Sequence, residues 1–239
     1  MPVAPKGDSM KVNYPIISAD SHIAEAPNTY TDYIDPKWRD VAPHVIETED
    51  KGDLYVIDGM KRTINMGLIA AAGQAPEELN PKAKWDELPR SGWDSEYRLA
   101  DQDRDGVSAE VIYPSVGMVL CNHPDGDYKK ASMDAYNRWI TDYCSVNKDR
   151  LLAIGQTPLR TVEEGIAELE EMKSVGMRGV MMPGNPGTDF DYDDPQWDPF
   201  WQAAVDLDLP LSWHILTTRE SGRPRGPKAN SFMTIIRAN

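Results

Sequence analysis

Asp20 and His22 stand two residues apart at the end of the apolar run 14–19, and His214 closes a second apolar run, 209–213. In a strand, residues two apart project to the same face, so a carboxylate and an imidazole would emerge side by side. That donor pair suits a borderline divalent cation such as Zn²⁺ or Mn²⁺, and a third donor from another strand end would complete a catalytic geometry. Asp-x-His alone occurs by chance in many chains, where it is a turn aspartate beside a surface histidine. A solitary histidine such as His214 is more often a satisfied core residue than a ligand. Placement is what lifts the pattern, because Asp20, His22 and His214 all sit where buried strands end.

Two further side chains fall on the same presumed face and are read as substrate contacts. His123 lies in Cys121-Asn122-His123-Pro124, in the loop after the second strand, and Asn185 lies in the loop 183–187 after the fourth. A plain loop histidine is the simpler reading of His123. His44, in Ala42-Pro43-His44, is read as a surface residue. The acidic cluster of Asp189, Asp191, Asp193, Asp194 and Asp198 has Asp194 where a calcium loop needs glycine and Phe200 where it needs glutamate, which excludes an EF-hand. Gly184 and Gly187 are not followed by Gly-Lys-Ser/Thr, which excludes a P-loop.

The elements that must position these residues alternate between helix and strand. The segment 95–105 reads as a polar helix stopped by Gly106, and 107–113 as a strand. Tyr136, Trp139, Ile140 and Tyr143 recur at spacings of three and four within 127–147, an amphipathic helix. A short buried strand follows at 151–156. Thr161 and Glu164 form a capping-box signature, Val162, Ile166 and Leu169 make an apolar face, and Gly176 ends that helix. Strand 179–182 runs into the loop 183–187. Asp194 and Pro195 open a helix through Asp208, and strand 209–215 follows.

Short apolar strands joined by helices mean parallel pairing through crossovers. With the strand before His22 there are five. The rhythm fits an α/β fold of either the doubly wound or the barrel kind. Donors at strand carboxyl ends favour a partial (β/α)₈ barrel, about five of eight strand-helix units. Between 27 and 92 the rhythm breaks into a stretch rich in proline, charge and turns. This is read as an insertion after the first strand, folded over the active-site face. Asp58-Gly59 between the strand-like runs of 54–64 signals a hairpin within it. The whole of 1–239 is read as one incomplete barrel domain.

Composition narrows the partners. Of the 239 residues 40% are hydrophobic and 27% charged, as in soluble globular proteins. The formal net charge of −14 at pH 7 argues against nucleic acid and anionic membrane surfaces. Two cysteines, Cys121 and Cys144, make no disulfide framework, and no apolar stretch reaches the length of a membrane span. A cytoplasmic protein acting on a small molecule is expected.

Taken together, these segments resemble the amidohydrolase-related family, in the branch that includes aminocarboxymuconate semialdehyde decarboxylase. The resemblance runs from about Pro15 to Ile215. It rests on Ile17 to Glu25, Arg98 to Val107, Tyr136-Asn137-Arg138-Trp139, Asp149 to Leu152, Gly176 to Val180, Asp198-Pro199-Phe200-Trp201 and the strand ending at His214. It implies a distorted barrel holding one divalent metal. The ligands are an x-any-His pair on the first strand, a histidine on the fifth and an aspartate on the eighth. Asp20, His22 and His214 occupy the first three of these positions. Relatives often carry His-x-His or Glu-x-His on the first strand, so Asp-x-His leaves zinc and manganese both open.

The implied function is metal-dependent hydrolysis or non-oxidative decarboxylation of a small carboxylated or cyclic organic substrate. The eighth-strand aspartate, and any sixth-strand histidine acting as acid or base, fall outside the 239 residues. The competing expectation is therefore a C-terminally truncated barrel without activity of its own. Its open edge would be covered by a partner copy, as in a homo-oligomer, or in part by the segment 230–239.

Overall fold

The computed structural model describes residues 14–71, 74–186, 188 and 190–218. In chain order its strands and helices are β1 (Ile17–His22), α1 (Thr29–Tyr33), β2 (His44–Thr48), β3 (Gly52–Val56), β4 (Ile64–Asn65), α2 (Met66–Ile69), α3 (Ser95–Asp105), β5 (Ala109–Tyr113), α4 (Val116–Leu120), α5 (Gly126–Cys144), β6 (Leu151–Gln156), α6 (Val162–Val175), β7 (Gly179–Met182), α7 (Asp198–Asp206) and β8 (Leu211–Trp213). The expected 230–239 segment lies outside the described residues.

Five parallel strands form one sheet in the order β1-β5-β6-β7-β8. Each neighbour is also the next strand of this sheet in sequence, as crossover connections dictate. The sheet curls. Laid flat, four spacings of about 4.8 Å would hold β1 and β8 roughly 19 Å apart, yet the ring nitrogens that follow from these two edge strands meet at 3.0 Å. The fold is half of a barrel wall with its helices outside.

Register divides the two faces. Ile112 and Ala153 are paired exterior residues, while Val111 and Leu152 face the hollow. Val111, Tyr113, Leu152, Ile154 and Ser212, with Ala19 of β1, line an open concave cleft of ≈ 380 Å³. On the outer face Ile112, Leu151, Ala153 and Val180 are buried with Met133, Tyr136 and Ile140 of α5 and Leu169 and Met172 of α6. Each buried Val, Leu, Ile or Met side chain among them is worth roughly 1.5–3 kcal/mol. Gly155 lets α6 approach closely, since a Cβ there would lie 2.5 Å from Met177 Sδ and 2.7 Å from Met172 Sδ.

The helix ends obey their local chemistry. Asp94 caps α3 by accepting from Glu96 and Tyr97 N–H, and Gly106 (φ +72°) closes it. Thr161 accepts from Glu164 N–H and Gly176 (φ +90°) ends α6. Only half of the expected capping box forms, because the Glu164 carboxylate turns to Arg160 instead. The helix expected from Asp194 begins as a 3-10 turn, Pro195–Trp197, and α7 ends at Asp206. The helix expected over 127–147 is α5, which stops at Cys144.

The insertion holds more than one hairpin. β2, β3 and β4 form a separate antiparallel sheet in that order, so the pairing around Asp58-Gly59 is only its second half. His44 opens β2, half-buried, with Nδ1 2.8 Å from the Ala42 carbonyl, rather than standing free at the surface. Tyr55 donates to Ala26 O, and Ala24 N–H donates to Gly92 O. These bonds fasten the insertion to the segment leaving β1 at its carboxyl end.

Candidate metal centre

β1 carries an irregularity directly before the site. Ser18 pairs with Glu110 and Ser21 with Ile112, so β1 has one residue more than β5 over this interval. Such a bulge re-aims the side chains beside it. Ser18 and Ser21, three apart, thus share the outer face, with their hydroxyls 2.7 Å apart. Asp20 and His22 still converge, but across a bulged segment rather than a regular strand.

Three donor atoms meet at the carboxyl end of the half-barrel. His22 Nε2 lies 3.0 Å from His214 Nε2, His214 Nε2 lies 3.2 Å from Asp20 Oδ1, and His22 Nε2 lies 3.5 Å from the same oxygen. Metal–ligand bonds of about 2.0–2.2 Å at roughly 90–110° put donor atoms roughly 3.0–3.5 Å apart, so the triangle has the dimensions of one face of a coordination shell. Its chemistry fits too. His22 Nδ1 sits 3.0 Å from the Pro114 carbonyl, an acceptor only, so the proton belongs on Nδ1 and Nε2 presents a lone pair. Burial, and then the neighbouring His214 ring, hold the His22 imidazole below its ordinary value of 6.5. A single proton between the two rings would satisfy one contact at a time, whereas a cation would satisfy all three donors.

The wall around the triangle is built from two directions. Tyr113, the last residue of β5, places its ring 6.0 Å from that of His22 and 5.5 Å from that of His214, and its hydroxyl bonds Ser212 Oγ at 3.1 Å. Behind β1, Arg98 clasps Glu110 with two bonds of 2.6 and 3.1 Å and donates a third, of 3.0 Å, to the carbonyl of His22. Gln102 and Ser21 also donate to Glu110. Burial pushes the Glu110 carboxyl up, but Arg98, Gln102 and Ser21 together hold it below the ordinary range.

Glu25 is fully buried and accepts from three successive backbone N–H groups, those of Ser115, Val116 and Gly117, at 3.0, 3.0 and 3.2 Å. Burial raises its carboxyl to about 7 against the pull of those donors. Sequence reasoning missed Tyr113, Arg98, Glu110 and Glu25 as parts of the site. Glu25 and Arg98 stood within segments that carried the family resemblance, which was the only available signal.

His123 and Asn185 are placed differently. His123 is buried, stacked on Tyr128 with ring centroids 4.3 Å apart, and its Nε2 lies 2.8 Å from Asp58 O while Nδ1 lies 3.2 Å from Asp125 O and N. Both nitrogens are taken up by backbone, tying the insertion to the start of α5. Asn185 is half-buried in the loop after β7, where the neighbouring Gly184 N–H donates to Thr217 O. That bond fastens its loop to the turn following His214.

A family model described as amidohydrolase matches residues 21–230. The chain belongs to that family. Among curated relatives of this amidohydrolase chain, gamma-resorcylate decarboxylase of Rhizobium radiobacter is 29% identical over 143 residues, covering 56% of this chain and 43% of the relative. Among solved structures, an amidohydrolase from Mycobacterium avium subsp. paratuberculosis superposes with a TM-score of 0.65 at 19% identity, over 89% of this chain and 61% of that one. A 5-carboxyvanillate decarboxylase from Novosphingobium aromaticivorans, complexed with manganese and a nitrobenzoic acid, gives a TM-score of 0.54 at 20% identity, over 89% and 53%. At these identities the structures establish the fold. The chain spans about half the length of the relatives it matches. Among the described residues, no helix is long and apolar enough to cross a membrane.

Proposed function

We propose that Asp20, His22 and His214 hold one divalent metal, Mn²⁺ or Zn²⁺, and that the site serves non-oxidative decarboxylation of a small carboxylated aromatic compound. The observation that carries this reading is the triangle of one carboxylate oxygen and two imidazole nitrogens at 3.0–3.5 Å. The metal, when bound, supplies an electrophile that binds and polarises a substrate oxygen. The chain's own residues do the rest. His22 donates Nδ1–H to the Pro114 carbonyl and so turns an Nε2 lone pair to the site, Asp20 adds negative charge, and Tyr113 gives an aromatic wall against which a flat ring can lie. Asn185, in the loop that Gly184 ties to the turn after His214, is the proposed polar contact to substrate. His123 serves instead as a clamp under the insertion.

Decarboxylation is preferred to hydrolysis because decarboxylases of carboxylated phenols stand among the relatives. The test is to load the chain with Mn²⁺ and supply gamma-resorcylate or 5-carboxyvanillate, reading released CO₂, with a lactone as the hydrolytic control. Lactone opening without CO₂ release would replace decarboxylation by hydrolysis. A second reading is a half-barrel that binds metal without turnover. It is favoured by the three-donor set among the described residues and by the buried His214 Nδ1, which has no hydrogen-bond partner among them. Metal uptake with no turnover of any of these substrates supports that reading.

A further inference from the structure

We infer that Glu25 is a positioning residue for the metal centre, acting through the turn 114–117 to fix the tautomer of His22. The inference rests on reading Asp20, His22 and His214 as a ligand set. Among the described residues, His22 Nδ1–H has one acceptor, the Pro114 carbonyl at 3.0 Å. That carbonyl belongs to an irregular turn between β5 and α4, where no sheet or helix ladder dictates its direction. Glu25 holds the turn from below. Oε1 accepts from Ser115 and Gly117 N–H and Oε2 from Val116 N–H, so the carboxylate grips three consecutive amides immediately after Pro114.

Two other bonds close the same frame. Ser115 Oγ donates to Ile23 O at 2.6 Å, and Ile23 N–H donates to Tyr113 O at 3.0 Å. The turn is therefore referenced to Ile23 and Glu25, which closely follow His22 in the chain. Gln156 donates to Gly117 O at 3.0 Å, which holds the far end. Glu25 is completely buried, so placing a carboxylate here is costly unless its bonds are made. Capping alone is a weak explanation for that placement, since α4 is only five residues long, and a serine or threonine cap could satisfy one of these amides without a buried acid. The three-amide grip instead sets the plane of the Pro114–Ser115 peptide. That peptide selects which nitrogen of His22 faces the site with a lone pair.

The first experiment uses the unmutated chain. The ¹⁵N shifts of the His22 ring, read at alkaline pH without metal, should report the Nδ1–H tautomer. An Nε2–H tautomer overturns the inference outright, whether or not the protein binds metal. The second uses Glu25→Gln, which keeps size but turns an amide NH₂ toward a backbone N–H. Its ring shifts should move toward a mixture of tautomers. Its affinity for Mn²⁺, read by calorimetry, should fall about tenfold, in the range measured when outer partners of ligand histidines are removed. Should Glu25→Gln not fold, Ser115→Ala takes its place, removing only the Ser115 bond to Ile23, with the same shifts expected in smaller degree. A folded variant with a pure Nδ1–H ring and unchanged affinity would show that Glu25 merely supports the fold. If the unmutated chain takes up no Mn²⁺ or Zn²⁺, the ligand-set reading fails while the tautomer result still decides the link from Glu25 to His22.

Discussion

His22 and His214 follow from the two edge strands of the sheet, 192 positions apart in sequence, yet their Nε2 atoms lie 3.0 Å apart. The Asp20 carboxylate oxygen lies 3.2 and 3.5 Å from the same two nitrogens. The half-barrel curl supplies the convergence, and the proposed cation is what the three donor atoms would share.

His214→Ala should therefore lose metal rather than fold. The side chain contributes one donor at a strand end, and the core of outer-face strand residues and helices does not include it. We expect Mn²⁺ or Zn²⁺ affinity to fall at least about a hundredfold, with circular dichroism unchanged, since each donor carries a large share of binding. Unchanged metal stoichiometry in the purified variant would remove His214 from the site.

Arg98→Ala should destabilise the fold. Its guanidinium and Glu110 are mostly buried, with side chains 13% and 12% exposed, and losing the cation strands a buried carboxylate. The cost is roughly 3 kcal/mol, read as a lower urea midpoint. Arg98→Lys should recover only part, because an ammonium cannot clasp both oxygens of Glu110 and reach the His22 carbonyl together. Full recovery by lysine would mean that charge alone matters there.

Glu25 makes stability depend on pH in the less usual direction. Its carboxyl titrates at about 7 when folded against an ordinary 4.5, so between these values the folded state binds more protons than the unfolded one. This contribution is full below about 4.5 and declines as pH rises to about 7, a change on the order of 3 kcal/mol. Burial raises the neighbouring Tyr30, Tyr55 and Tyr136 hydroxyls well above their ordinary values, and Glu25 adds to the shift, so none of them titrates in this window. Denaturant midpoints of Glu25→Gln and the parent, measured from pH 4.5 to 7, should differ in slope, with the variant flatter. Parallel curves would contradict the assignment.

Self-association is expected of the chain in solution. β1 and β8 are edge strands, and Ile16, Ile17, Trp213 and Ile215 beside them are 46%, 54%, 49% and 52% exposed. Unpaired strand edges flanked by apolar side chains recruit further strands. Light scattering coupled to size exclusion should show species larger than one chain that grow with concentration. A monomer across a wide concentration range would mean that these edges are covered.

The strands, the long helices and their caps were legible in the sequence because each rests on neighbours a few residues away. Thr161, Gly106 and Gly176 act on the very helices they border. The pairing of Asp20 with His22 was legible for the same reason, although the bulge that aims them was not. What the tertiary structure decided has partners about ninety residues or more distant, or in a segment with no clear period. Glu25 reaches amides 90 to 92 positions away, and β2 joins a sheet of which only the second hairpin carried a turn signal. His123 reads as a substrate contact or, more simply, a loop histidine, and no local pattern signals that backbone groups 2 and 65 positions away occupy its two nitrogens. Local pattern specifies which residues can do chemistry, but only the curl of five strands decides which of them meet, because that distance depends on every strand between them.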